Sequence, residues 1–395
     1  MPIDGPLRNT SVSLGAGEFF QLLRDRKPRT RADLIAITGQ SRSTIATRID
    51  ALMSTGLIGP AGTAGSTGGR RPATFAFQPG ARAVLAVDLG ATHARLAVTD
   101  LASTVVAATD APLSIAAGPD VVLPWVVRAG RELLDAAGRD VDDLAALGIG
   151  LPGPVEHSTG RPINPPIMPG WDDVDVPGLL GAELGVDVLV DNDVNIMALG
   201  EHRAAWPQVS DLLLVKVSTG IGAGIIADGA LRRGAQGAAG DIGHMVVPGA
   251  DHVPCRCGNT GCLEAVASGQ AVAAALSAQG LEAADSADVV ALVRSKGLAA
   301  SQAVRQAGRD IGGVLASCVS MLNPSVIVIG GIVADAGEHL IAGIREAVYR
   351  RSLPLATQHL RIVTSRARVG AGVLGASAMA IDHVLSPAAI DALAA

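Results

Sequence analysis

AVDLGATHAR, residues 86–95, ends an apolar run on Asp88, turns at Gly90-Ala91-Thr92 and resumes an apolar run that reaches residue 99. Two runs of strand length on either side of a glycine turn predict a β-hairpin, with strands over residues 84–87 and 95–99. Working outward, residues 144–149, 186–190, 212–217, 224–227 and 326–329 read as further strands, the second leading into Asp191-Asn192-Asp193. Residues 120–137 and 302–321 carry helical periodicity, and no short internal repeat interrupts the pattern. From about residue 83 the chain therefore reads as a mixed α/β body.

Composition agrees. The 395 residues suffice for two or three domains, 49% hydrophobic residues allow a large core, and 48 glycines suit tight turns between strands and helices. No apolar stretch approaches the roughly 18 residues of a membrane span, and the first residues lack a basic start followed by an apolar run. A soluble cytoplasmic protein with no membrane partner is expected. Four cysteines, three of them between 255 and 262, do not make a secreted disulfide framework. The net charge of −6 is uneven: residues 1–80 carry ten Lys/Arg against five Asp/Glu, which leaves 21 against 32 for the rest. A basic head on an acidic body favours an anionic partner for the head, nucleic acid first.

The head's pattern sharpens this. Residues 17–26 can form a helix with Phe19, Phe20, Leu22 and Leu23 on its apolar face. Thr30-Arg31-Ala32-Asp33 fits a capping box that opens a second helix ending at Gly39, and Ser41 can cap a third. In that third helix Ile45, Ile49, Leu52 and Met53 share a face, leaving Arg42, Ser43, Thr44, Thr47 and Arg48 outward, suited to a major groove. Gly56 closes it. Strands at 57–58 and 74–77 then enclose Gly68-Gly69-Arg70-Arg71-Pro72, giving a winged helix-turn-helix pattern, with a trihelical protein-interaction module as the bland alternative.

His244 and Cys255-Arg256-Cys257-Gly258-Asn259-Thr260-Gly261-Cys262-Leu263-Glu264 form the strongest local signal. His244, Cys255, Cys257 and Cys262 supply the donors of a closed tetrahedral zinc site, structural because no position stays open for substrate. A redox thiol cluster or scattered core cysteines are the alternatives. Cys318, isolated in an apolar helix, reads as core.

The head with its GGRRP wing, the Asp88 hairpin, Asn192-Asp193, residues 218–224, Gly237-Ala238-Ala239-Gly240-Asp241-Ile242-Gly243-His244, the cysteine loop and residues 323–331 occur in the order found in the ROK family of repressors and sugar kinases, which the chain resembles over nearly its whole length. The resemblance implies an α/β fold: an N-terminal winged helix-turn-helix over 1–80, then a two-lobed actin-like, ribonuclease H-like ATPase body over 81–395. Lobe one would take about 83–192 with a C-terminal helix 370–395, and lobe two about 193–369 with the zinc loop. It places Arg70 and Arg71 at the minor groove of operator DNA. It assigns a sugar to Gly160, Arg161, Asn164, Asn192, Asp193, Asp241, His244 and Glu264, with His244 using one nitrogen for metal and the other for sugar. Carboxylates, amides and an imidazole satisfy hydroxyls, which both donate and accept. Asp241 stands where the family usually has Glu, about 1.5 Å longer, so a bulkier sugar or a bridging water is expected.

In the resembled kinases, three glycine-rich loops admit ATP, and an Asp matching Asp193 takes the proton of the attacking hydroxyl. Here Asp88-Leu89-Gly90-Ala91-Thr92, Ser218-Thr219-Gly220-Ile221-Gly222-Ala223-Gly224 and Gly330-Gly331-Ile332 have each lost a glycine. The sugar side is kept while the phosphate side has drifted. The expected function is a sugar-responsive repressor, a homodimer or homotetramer, that is not an enzyme. An active hexose or amino-sugar kinase using ATP and Mg²⁺, with Asp193 catalytic, is the alternative. A DNA-binding scaffold with an empty cleft is disfavoured by the retained polar set.

Overall fold

Phe19, Phe20 and Leu23 are fully buried and anchor the first helix, α1 (Ala16–Gln21), in the computed structural model, which describes residues 14–63 and 72–395. The helix is shorter than the expected 17–26. Arg26 takes φ 62°, left-handed backbone that an α-helix does not accommodate. A short strand β1 (Arg29–Thr30) leads into α2 (Arg31–Thr38), where the capping box forms as expected: Thr30 Oγ1 accepts the Asp33 amide at 3.1 Å, and Asp33 Oδ2 accepts the Thr30 amide at 2.8 Å. Gly39 at φ 68° ends α2, and Ser41 Oγ accepts from the Thr44 amide at 3.2 Å to open α3 (Arg42–Ser54).

Ile45, Ile49 and Leu52 are buried, but Met53 is 37% exposed. It lies at the rim of the stripe, about a quarter-turn from Ile45. Strands β2 (Ile58–Thr63) and β3 (Ala73–Phe77) pair antiparallel, with β1 on the other side of β3. Phe77 meets Phe20 edge-on at 5.4 Å. Arg70 and Arg71 lie outside the described residues.

The opening hairpin is β4 (Ala83–Leu89) and β5 (His93–Asp100), followed by β6 (Val105–Pro112), α4 (Pro119–Ala136), β7 (Leu144–Leu151), a small ribbon of β8 (Val155–Glu156) and β9 (Arg161–Pro162), α5 (Val176–Leu184) and β10 (Asp187–Asn192). These strands, the ribbon apart, form one sheet in the order β10-β7-β4-β5-β6. After α6 (Asp193–Ala205) come β11 (Leu212–Val217), β12 (Ile221–Ala227), β13 (Ala230–Arg232), α7 (Leu263–Ala267), α8 (Gly269–Ser277), α9 (Ser286–Arg294), α10 (Leu298–Leu322), β14 (Val326–Gly330), α11 (Glu338–Arg351), α12 (Pro354–Thr357) and β15 (Arg361–Thr364). The second sheet runs β13-β12-β11-β14-β15. Counted along the chain, both sheets place their strands third, second, first, fourth, fifth. The turns after β4 and after β11 are therefore equivalent positions.

Helix α6 lies between the sheets because glycines let it approach both. A Cβ on Gly150 of β7 would collide with Ile196, and one on Gly224 of β12 would meet Ala198 Cβ at 2.5 Å. This fixes the helix N-terminus, and with it Asn192 and Asp193, at the mouth between the two sheets.

The stretch expected as one helix over 370–395 is two, α13 (Ala371–Val384) and α14 (Pro387–Leu393), bent by 55°. Pro387 cannot continue the preceding turn, and Ser386 caps the new helix through the Ala389 amide at 3.3 Å. Contacts divide the chain into one unit made of the chain up to Ala83, Asp100–Ala102 and Ile381–Ala395, and a second made of Val84–Thr99 and Ser103–Ala380. Within the first, Asp391 Oδ1 accepts the Gly17 amide at 2.8 Å, and Gln21 Nε2 donates to Leu385 O at 2.8 Å. No single helix among the described residues is long and apolar enough to cross a membrane.

Candidate functional site

Asn192 ends β10 and caps α6: its Oδ1 accepts the Val194 amide at 2.8 Å, and its Nδ2 donates to Gly153 O at 2.9 Å. These two bonds hold the strand-to-helix turn. That turn presents Asp193, in the first helical turn, to a cavity of about 410 Å³, within the roughly 300–1,000 Å³ of small-molecule sites. Asn164, Asn192, Asp193, Asp241, His244 and Glu264 all line it. Gly160 and Arg161 do not. Arg161 donates to Asp173 O at 2.8 Å and lies 3.4 Å from the Asp175 carboxylate, so its guanidinium is engaged away from the cavity.

Glu264 arrives from the far side. Cys262 is the N-cap of α7, which sets Glu264 in the first helical turn, where Oε2 accepts the Ile221 amide at 3.1 Å. A Cβ on Gly220 would strike that oxygen, so this glycine serves the carboxylate's close approach. Gly331, at φ 85°, likewise lies too close to the backbone of Val217 for a side chain. The glycines left in the phosphate-loop positions thus have packing reasons of their own.

The ligand atoms of His244, Cys255, Cys257 and Cys262 lie within 4.8 Å of one another and could hold a metal ion such as zinc. His244 Nδ1 is 3.7 Å from Cys255 Sγ, and the Cys257 and Cys262 sulfurs are 3.7 Å apart. A tetrahedron with Zn–S bonds of about 2.3 Å requires sulfurs about 3.8 Å apart, so the spacing fits. The Asn259 amide helps draw the Cys257 thiol down to about 7, while burial pushes Cys262 up to about 12. With Nδ1 toward the thiols, the other side of the His244 ring is left for the cavity it lines. Cys318 is buried in α10, as expected of a core residue.

Three features were not legible in sequence. Lys216 of β11 reaches Asp193, Nζ to Oδ2 at 2.5 Å. Its register partners on both neighbouring strands are glycines, Gly222 and Gly330, which leaves room for a long side chain. Asp191 is buried, accepts from Asn195 Nδ2 at 2.8 Å and pairs with Arg233 Nε at 2.6 Å, linking the first sheet to the loop that carries Asp241. Asp88 at the end of β4 is buried with Oδ1 lacking a hydrogen-bond partner, and burial pushes its carboxyl up to about 6.

On α3, Arg42, Ser43 and Thr47 are exposed and Thr44 and Arg48 half-buried. The Ser43 and Thr44 hydroxyls each lie 2.8 Å from Ser41 Oγ at the start of the helix.

The profile of the family described as "ROK family" matches residues 84–383. A xylose repressor of Caldicellulosiruptor bescii is 28% identical over 381 residues, 93% of this chain and 95% of that protein. A glucokinase of Halalkalibacterium halodurans is 31% identical over 304 residues, 73% of this chain and 92% of its own length. A solved ROK family transcriptional regulator, described as a homolog of the E. coli MLC protein, superposes with a TM-score of 0.81 at 25% identity, covering 97% of this chain and 98% of its own.

Proposed function

This chain belongs to the ROK family, and from that premise we propose that it is a sugar-responsive DNA-binding transcriptional regulator, a repressor working in the cytoplasm. The observation that carries the reading is the convergence of Asn164, Asn192, Asp193, Asp241, His244 and Glu264 on one cavity in a chain whose first unit presents Arg42, Ser43, Thr44, Thr47 and Arg48 on a helix face. Acceptors and donors set around a space of this size suit a polyol. The repressor of similar length is matched from end to end, whereas the glucokinase match leaves about a quarter of this chain uncovered.

On this reading the head, about residues 1–80, is a winged helix-turn-helix whose α3 enters the major groove, with Arg70 and Arg71 as wing contacts, in a homodimer or homotetramer on a pseudo-palindromic site. Zinc at His244, Cys255, Cys257 and Cys262 is structural and holds the loop that aims Glu264. The body, about 81–395, is the sensor. Sugar alters operator affinity by binding its two arrangements unequally.

Asp193 at the cavity favours a second reading, an active sugar kinase, because a carboxylate there is placed to take a hydroxyl proton. Purified protein separates the two. DNA affinity measured by fluorescence anisotropy should change when sugar is added without ATP. Phosphorylation of that sugar at kinase rates, about 1–100 per second, would instead establish the kinase.

A further inference from the structure

Lys216 is the only lysine or arginine among the described residues that line the cavity, and the same lining holds the carboxylates of Asp193, Asp241 and Glu264. Its ammonium donates to Asp193 Oδ2 at 2.5 Å, and neither Nζ nor Asp193 Oδ1 has a further hydrogen-bond partner among the described residues. An ammonium has three protons and a carboxylate accepts several. The pair therefore offers, side by side, unspent donors and an unspent acceptor at the wall of the cavity.

Resting on the sensor reading above, we propose that Lys216 and Asp193 together clamp one free hydroxyl of the effector, and that the effector is an unphosphorylated sugar. A hydroxyl accepts from the ammonium and donates to the carboxylate at once. A phosphate ester at that position is mostly dianionic at pH 7 and seldom has a proton to give Asp193. Its charge also enters a cavity whose lining is already negative: Lys216 is paired with Asp193, and Asp241 and Glu264 line the same space.

The neighbouring turn adds no positive charge. The His93 imidazole lies directly against Gly90, where a Cβ would collide with the ring, and burial holds its pKa below the usual histidine value, so it is neutral at pH 7. The hairpin that would cradle a phosphate is thus covered by its own side chain. At this turn the cavity is lined by a neutral ring rather than a cation.

Calorimetric titration of the full chain tests this with glucose, xylose and N-acetylglucosamine, each beside its phosphate ester (glucose 6-phosphate, xylose 5-phosphate, N-acetylglucosamine 6-phosphate). The wild type should bind one free sugar at least ~10-fold more tightly than its ester, and Lys216→Met should weaken that binding about 10- to 100-fold, the scale of one charge-assisted hydrogen bond. Because Lys216→Met leaves Asp193 unpaired, the neutral double variant Lys216→Met with Asp193→Asn is measured too and should be weakened at least as much. Preference for the ester, or variants that bind as tightly as the wild type, overturns the clamp alone. A wild type that binds none of the six compounds overturns the sensor reading and the clamp with it.

Discussion

Asp88 is a buried carboxylate with one oxygen unpartnered, and a single substitution reads its cost. Burial raises its pKa from 3.8 to about 6, with Lys216 opposing. A carboxyl raised in the fold contributes stability that is complete below its unfolded pKa and lost as pH rises through the folded one. Asp88→Asn removes this dependence, so the variant should gain on the wild type between about pH 4 and pH 7, by up to roughly 3 kcal/mol. Thermal unfolding at pH 4.5 and 7.5 checks it, and an equal Tm difference at both values would count against the buried charge. Single residues differ in how far sequence reveals them. Asn192, Asp193, His244 and Glu264, which line one cavity, were reached in sequence because each sits in a motif that resembles the ROK family's. Lys216 was not, since its role depends on Asp193 from another element and on the glycines of two neighbouring strands. Arg161 was placed at the sugar by a motif, while Asp173 and Asp175 hold its side chain elsewhere.

Among the elements, the cysteine loop has the most to lose. The Cys255 amide donates to Asn259 O at 2.8 Å and the Gly261 amide to Val253 O at 2.8 Å, but few apolar side chains of the loop are buried, so on the proposed zinc reading its order would rest on the four ligands. Cys257→Ser should lower the zinc content of purified protein from about one per chain and weaken sugar binding with it, because Glu264 lies in the first turn of the helix that Cys262 caps. Elemental analysis and sugar titration on the same preparation decide this; full sugar affinity without zinc would separate the loop from the site. Such local elements were readable because their ligands or caps lie close in sequence, as with Thr30 and Asp33. The shared strand order of the two sheets was not. It is a property of hydrogen-bonded neighbours, and the strands that fill equivalent places, AVLAVDL and LLLVKV, share only apolar character. Helix ends where the last turn tightens to i−3 bonds, as after Gln21, also escape apolar periodicity, which is why α1 reads too long.

For the whole molecule, the first unit is built from both ends of the chain, so its stability cannot belong to the N-terminal segment alone. Gly17 meets Pro387 so closely that any side chain there would overlap the backbone of α14. The Gly17 amide is held by Asp391, Gln21 by Leu385 O, and Arg24 pairs with Asp382 at 3.3 Å. Helix α1 is six residues long, too short to persist in water without packing. Deleting residues 387–395 therefore exposes one face of α1 and loosens the packing of Phe19 and Phe20 on which α3 and the hairpin depend. DNA binding should fall at least ~10-fold while sugar binding and zinc content stay as in the full chain, because the residues assigned to those two functions all lie in the second unit. Anisotropy with operator DNA, run beside sugar titration, makes the comparison. A truncated chain that binds DNA as well as the full one would mean that α14 is merely attached to the head rather than part of its core.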